Sequence, residues 1–564
     1  MAREMNRREA MALGIASAVA LSMPVRAAGK AAAVEAVSTM VQTHDARLNE
    51  RLKGQVTDTQ SRWCGAVPDP WGIHYCHTAA ELLRDCAAAY FHPKSEHHAS
   101  AALLEQMKLL AGFLARCQNA EGNIDLFATN FNSPPDTGFV VHHAGTAAKL
   151  AQMNGNEAVL SFLRDFLLRA GQGLSKGGIH TPNHRWVVSA ALAQINDLFP
   201  DPQYVSRIDQ WLAEGIDIDE EGQYTERSTA GYNAVVNDAL VVMAHKLKRD
   251  ELLEPVRKNL DAMAYLIHPD GEVVTEISRR QDLNSRGTMD KYWFGLRYMA
   301  ARDDNGLYAA IFNQVKPESA VLAKVMEYPE LEKPLANATP IPDNYEKDYP
   351  TYGVTRIRRG KTSATILQKG NNRWVSLRRG GAVINAVRFA SAFFGKGQFV
   401  PVSFEKRDGL FHFKQTLRGS YMQPIADSGL LPVRPETWSD LVSRRKGTQI
   451  CKLAYEASIR ETEQGFEISI SAQGTDNVPF AVEINLREGG ELTGVTAAPN
   501  TGDAFLLKDG FAEYRMGGDG FRFGPGKAEH AWVQMRGAEG KLPGPSVYLT
   551  GYTPFQHMLT FQTC

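Results

Sequence analysis

The stretch LLEQMKLLAGFLARC, residues 103–117, sets Leu103, Leu104, Met107, Leu110, Phe113, Leu114 and Cys117 along one stripe of an α-helix. Stripes of the same period recur on both sides of the middle of the chain. Val159, Phe162, Leu163, Phe166 and Leu167 form one, and Val187, Val188, Ala191, Leu192 and Ile195 form another. Similar runs follow Gly231 and Met289. The connections between them are short and rich in breakers, as in Asn132-Ser133-Pro134-Pro135-Asp136. Roughly ten helices between residues 30 and 330, joined by short turns, favour antiparallel helical hairpins stacked in series. No clear 34-residue signature repeats, which disfavours a standard solenoid.

Further along, the pattern changes. Pro317, Pro329, Pro334, Pro340, Pro342 and Pro350 break helix and supply no backbone N–H. Residues 331–351 therefore read as a linker, with a short helix expected around Ala320 to Met326. From Tyr352 the period is two. Thr365-Ile366-Leu367, Trp374-Val375-Ser376-Leu377, Phe466 to Ile470 and Val547-Tyr548-Leu549 have strand composition, and Gly-rich turns such as Gly517-Gly518-Asp519-Gly520 separate them. Many short antiparallel strands mean a sandwich or barrel over residues 352–564.

Size agrees with this division, because 564 residues are too many for one hydrophobic core. The formal net charge is −1, so no global field draws the chain to nucleic acid or anionic lipid, and an anionic ligand must meet a local basic cluster. Asn6-Arg7-Arg8-Glu9, the apolar run Met11 to Val25 and Val25-Arg26-Ala27 read as a signal peptide of twin-arginine type over residues 1–29. A periplasmic or secreted location is the expectation. No later stretch has 18 unbroken apolar residues, so no membrane span is expected. Cysteines 64, 76, 86, 117, 451 and 564 show no zinc-ligand spacing. In an exported chain they leave open a disulfide such as Cys64 with Cys117, or buried free thiols.

Four loops ahead of helices in the first half carry the densest polar and aromatic clusters. Residues 130–138 lead to His142 and His143, residues 178–186 contain Asn183-His184-Arg185, residues 221–233 contain Tyr224, Glu226, Arg227 and Tyr232, and residues 268–286 contain Asp270, Arg279, Arg280 and Arg286. Helix N-termini present free N–H groups and suit an anion. If the helices alternate in direction, alternate loops share one end. Bland roles stand beside these. Asn183 is a favoured N-cap residue, Tyr232 suits a core position, Glu226 with Arg227 suits an ion pair, and His142 beside His143 points one imidazole inward and one outward rather than forming a metal pair.

Asn183-His184 at a helix entrance, followed by Gly222-x-Tyr224-x-Glu226-Arg227-Ser228 and then Tyr232 on the next helix, resembles the heparinase II/III and alginate lyase group. The spacing, 232 − 184 = 48 residues, is similar to that group's. The chain departs from it in having Pro182 where the group usually shows a second Asn, and Asn233 where His is common. The resemblance implies an α+β multidomain chain with an N-terminal (α/α) toroid over 30–330 and a C-terminal antiparallel β-sandwich. It implies a lyase that splits a uronate-containing polysaccharide by β-elimination. It also adds His412, from Gly409-Leu410-Phe411-His412-Phe413, as a histidine contributed by the sandwich. On the strand pattern His412 faces opposite to Phe411 and Phe413.

These residue types suit that chemistry. The C5 proton of a uronate is weakly acidic until donors offset the carboxylate charge, a task for Asn183 with Arg185 or Arg227. A base takes the proton and an acid protonates the leaving oxygen. Tyr232 is the expected acid, and the base for a syn elimination, with His184 as alternate base. Arg185, Tyr224, Glu226, Arg227, His143 and Arg286 are the expected substrate-binding residues. The expected partner is an acidic polysaccharide, with neither nucleic acid nor membrane. No cofactor is required by this chemistry and no metal motif stands out, while a structural ion stays open. An inverting glycoside hydrolase using Asp136, Glu226, Asp270 or Glu276, and a non-catalytic glycan-binding protein, are the rival readings.

Overall fold

The structure is a computed structural model describing residues 30–317, 320–425 and 434–564, the side chains of 30–37 aside. The signal segment expected over residues 1–29 lies outside the described residues. The described residues form two compact units, one drawn from residues 30–264 and 275–341, the other from residues 265–274 and 342–564.

The first unit is helical: α1 Lys30–Leu52, α2 Cys76–Phe91, α3 Ala101–Cys117, α4 Pro134–Met153, α5 Glu157–Lys176, α6 Pro182–Leu198, α7 Pro202–Ala213, α8 Tyr232–Leu247, α9 Glu254–Met263, α10 Trp293–Arg302, α11 Gly306–Phe312 and α12 Val321–Glu327. The even-numbered helices α2, α4, α6 and α8 pack on one another in succession, and α3, α5, α7 and α9 each lie against the even helix that precedes them. Helix α12 packs back on α2 and α4. This is an inner row backed by an outer row.

Burial follows the rows. Every residue of α6 from Asn183 to Ile195 is buried, whereas α7 buries only Tyr204 and Ile208. The single stripe expected for α6 is therefore too narrow. An inner helix meets neighbours on all sides, and Ser189 and Gln194 are buried with its apolar residues.

A turn repeats where outer helices hand over to inner ones. Asp69, Asn119 and Asp219 each accept at Oδ1 from the N–H groups two and four residues on, at 2.8–3.0 Å. Three residues after each stands a glycine with φ of +79°, +86° or +82°. The intervals are 119 − 69 = 50 and 219 − 119 = 100 residues, one and two helical hairpins. A left-handed glycine closes an Asx-anchored turn at little steric cost. The repeat lies in turn chemistry, with helix sequences diverged around it, which is why a search for a helical signature misses it.

The second unit has a nine-stranded and an eight-stranded sheet. The first runs from an edge at Asn344–Tyr349 through Ala382–Ser391 and Pro479–Leu486 to Thr496–Ala497, and the second from Ser403–Arg407 through Leu410–Met422 and Gly447–Thr462 to Glu491–Thr493. Trp374, Phe389, Phe399, Phe413, Tyr455 and Phe480, drawn from both sheets and their loops, share one buried core. Pairing is antiparallel except between Ala504–Leu506 and Ser546–Tyr552.

Two expectations need correction, and one open alternative is decided. The strand Asn344–Tyr349 occupies part of the expected linker. Residues 265–274 belong with the sheets: Glu272 accepts from Arg378 at 2.6 Å and Arg487 at 2.5 Å, and Asp270 accepts from Arg487 at 3.0 Å. Of the two readings left open for the cysteines, that of free thiols holds for all six, and Cys117 neighbours Cys76; that contact, with burial, raises the Cys76 thiol.

Candidate active site

Helix α6 begins at Pro182, with Thr181 as its N-cap and Asn183 already in the first turn. Asn183 is therefore not the cap. Its amide Nδ2 donates to Thr181 Oγ1 at 3.1 Å and to Glu226 Oε2 at 2.8 Å. Glu226 sits in the loop before α8 and is 6% exposed. Burial raises its pKa, and the bond from Asn183 and the charge of Arg280 offset this only in part. Arg280 Nη1 lies 3.3 Å from Glu226 Oε1. The same guanidinium stands over the ring of Tyr232, 4.6 Å from its centroid. Tyr232 is the first residue of α8, and its backbone N–H donates to Ser228 Oγ at 2.9 Å. Its hydroxyl has no hydrogen-bond partner among the described residues. An amide, a carboxylate, a guanidinium and a phenol thus form one chain of contacts across the entrances of neighbouring inner helices.

His184 follows Asn183 and is 6% exposed. Its ring stands edge-on to His180 at 4.6 Å and to Phe139 at 6.4 Å, and its Nδ1 is buried without a hydrogen bond. Burial, then the neighbouring His180, lowers its pKa to about 4, so the imidazole is neutral at pH 7. On α4, Asp136 accepts from Asn130 at 2.8 Å and Ser133 at 2.5 Å, and lies 3.6 Å from His77 Nε2. Burial opposes its ionisation, but these bonds outweigh it and hold the carboxyl below its ordinary value.

Several expected binding residues are turned elsewhere. Arg185 donates to Asp217 at 2.7 Å, Glu214 at 3.2 Å and the Gly215 carbonyl at 3.1 Å. Tyr224 is buried and donates to Asn237 at 2.8 Å. His143 accepts at Nδ1 from Arg84 at 2.9 Å. Because guanidinium only donates, this fixes the tautomer with hydrogen on Nε2. His142 and His143 are both half-buried, not one in and one out. Arg227 takes a left-handed backbone, φ +49°, and Arg286 is exposed. In the sheet unit, His412 is half-buried on the face opposite Phe411 and Phe413, with Nε2 3.5 Å from Glu456.

Arg280 lies in the fourth polar loop, where nothing in the sequence distinguishes it from Arg279 and Arg286, and His77 lies outside all four loops. In the loop Arg279-Arg280, three residues of one charge within eight leave no periodic signal for which one turns inward. Among the described residues no group of three or more His, Cys, Asp or Glu is arranged to hold a metal ion.

Solved structures with this architecture are known. The chondroitin AC lyase of Streptomyces coelicolor A3, in a complex with chondroitin sulphate, aligns at a TM-score of 0.53 with 14% identity over 99% of this chain and 82% of its own. Its mutant form aligns equally, with 12% identity. A Paenibacillus xanthan lyase aligns at 0.55 with 10% identity, over 93% of this chain and 56% of its own. The chain has a polysaccharide-lyase fold. No protein-family model and no curated protein sequence matches it.

Proposed function

We propose that this protein is a polysaccharide lyase that cleaves a uronate-containing glycan by β-elimination. One observation carries the reading: Asn183, Glu226, Arg280 and Tyr232 form a continuous contact chain beside the neutral imidazole of His184. The solved lyases of the same fold act on acidic glycans by their names, which supports an acidic polysaccharide as substrate.

The Arg280 side chain is 20% exposed, so its guanidinium can take a substrate carboxylate while Nη1 stays on Glu226. That interaction offsets the charge that makes the C5 proton weakly acidic. Asn183 reaches the substrate only by exchanging its bond to Glu226. Tyr232 transfers the proton. Its hydroxyl has no hydrogen-bond partner among the described residues, and the Arg280 guanidinium stands 4.6 Å from the ring centroid. His184, neutral down to about pH 4, is a weak base, so Tyr232 takes the base role and then protonates the leaving O4. His412 is retained as a candidate from the sandwich, and export by the N-terminal segment as the location. None of these steps needs a cofactor.

The hydrolase reading is weaker because three of its carboxylates are engaged: Asp136 by Asn130, Ser133 and His77, Glu226 by Asn183 and Arg280, and Asp270 by Arg378 and Arg487. Incubation with a panel of uronate glycans decides. A lyase yields a product with ultraviolet absorbance from a conjugated C4–C5 double bond. New reducing ends without absorbance would establish a hydrolase, and neither product on any glycan would leave a binding protein.

A further inference from the structure

Next to the proposed site lies an open cleft of ≈ 500 Å³, formed by the hairpin at residues 129–135, Glu121 and Asn123, and residues 177–180. His180, which lines it, is in ring contact with His184 at 4.6 Å, so the cleft reaches the imidazole that stands beside the contact chain. Among the described residues no lysine or arginine side chain lines it. The ionisable side chains on its wall are those of Glu121 and His180.

The wall is rigid and acceptor-rich. Asn132 has φ +49° and is clasped from three sides. Its N–H donates to Asp125 at 2.6 Å, and its Oδ1 accepts from Asn119 at 2.6 Å and from Asn123 at 3.0 Å. Its Nδ2 reaches Glu121 Oε2 at 3.3 Å. Asn130 donates through Nδ2 to Asp136 at 2.8 Å, which leaves its Oδ1 with no partner among the described residues. Between these two asparagines the hairpin holds Phe131 67% exposed. A large aromatic ring kept in water by a braced turn has its apolar face available to a ligand.

We propose that this cleft is a subsite for an uncharged pyranose unit of the glycan, adjoining the uronate at the reacting groups; in that placement it rests on the lyase reading. The C–H face of the sugar stacks on Phe131, and its hydroxyls donate to Glu121 and Asn130 Oδ1. A sulfate or carboxylate here meets the Glu121 charge, and the guanidinium of Arg207, which reaches the lining at Gly177, is taken by that residue's carbonyl at 2.7 Å, so like-charge repulsion disfavours it. The subsite therefore selects glycans in which the uronate alternates with, or is followed by, a neutral sugar unsulfated at this position.

The test uses binding, which needs no turnover. Neutral hexamers of β-1,4-glucose and of β-1,4-N-acetylglucosamine, and a sulfated glucose hexamer, are titrated calorimetrically into the full chain and into the F131A and E121K variants. Phe131 and Glu121 are exposed, so both variants keep the fold, and circular dichroism verifies it. At least one neutral hexamer should bind at least tenfold tighter than the sulfated one, F131A should weaken it at least fivefold, and E121K should narrow the gap at least fivefold. Equal or tighter binding of the sulfated hexamer, failure of both neutral hexamers to bind, or F131A affinity within twofold of the parent would overturn the proposal. A protein that binds neutral hexamers in this way but makes no ultraviolet-absorbing product from any uronate glycan would sink the lyase reading and leave the subsite standing.

Discussion

Replacing Arg280 by alanine removes the only cation that the structure places against the Tyr232 ring among the described residues. The guanidinium carbon lies 4.6 Å from the ring centroid. At a separation of about 5 Å and an effective dielectric of about 20, a full negative charge on the phenol oxygen interacts with it by about 3 kcal/mol. A half-developed charge in the transition state gains about half as much. The expected loss in kcat is therefore about 10- to 200-fold. Lysine keeps the charge but not the flat guanidinium over the ring, so R280K should fall between. The change also strips Glu226 of its partner at 3.3 Å, and a second arm separates the two effects. In an E226Q background the R280A loss should shrink if part of it passes through Glu226, and persist if Arg280 acts on Tyr232 and the substrate directly. The assay is initial-rate absorbance on the accepted glycan, with kcat and KM resolved. An R280A enzyme with kcat within twofold of the parent would refute the reasoning.

Other consequences follow from the same contacts. N183A breaks a buried bond to a carboxylate at 2.8 Å and should cost the helical unit about 2 kcal/mol, read from its urea midpoint; an unchanged midpoint would contradict the bond's role. His142 and His184 are each lowered from 6.5 to about 4, mainly by burial. The unfolded chain thus binds protons that the fold refuses, and each should remove about 2 kcal/mol of stability as the pH falls from 6.5 to 5, the effect growing until pH 4. A urea midpoint flat across that range would disprove it. G122A should be far more damaging than G72A, though both have left-handed φ. A Cβ at Gly122 would sit 2.0 Å from the Arg169 carbonyl oxygen, while at Gly72 nothing lies within 4 Å. G72A should cost about 1 kcal/mol and G122A several-fold more, and equal thermal shifts would count against the packing described here.

Much of the architecture is legible in periodicity alone. A 3.6 period gives way to a period of two near Tyr352, and prolines mark the change. What escapes is set by tertiary context. The strand Asn344–Tyr349 lies among prolines and alternates charge in place of apolar residues, so it reads as linker. Residues 265–274 join the sheets through Arg378 and Arg487, more than 100 residues away in sequence, and no local pattern announces that. At the site, Asn183, His184 and Tyr232 are singled out by residue type at helix entrances. Arg185 and Tyr224 look equally suited in sequence, but their polar atoms are used up by Glu214, Asp217 and Asn237. Arg280 is distinguished from Arg279 and Arg286 only by its position over a ring that lies 48 residues earlier in the chain.

The most direct measurement is the Tyr232→Phe enzyme assayed beside its parent on a glycan the parent degrades. The substitution removes one oxygen that has no hydrogen-bond partner among the described residues, so the thermal midpoint should stay within a degree or two. The account predicts that the rise in ultraviolet absorbance falls by three orders of magnitude or more while glycan binding persists. Full-rate absorbance from that variant would contradict it.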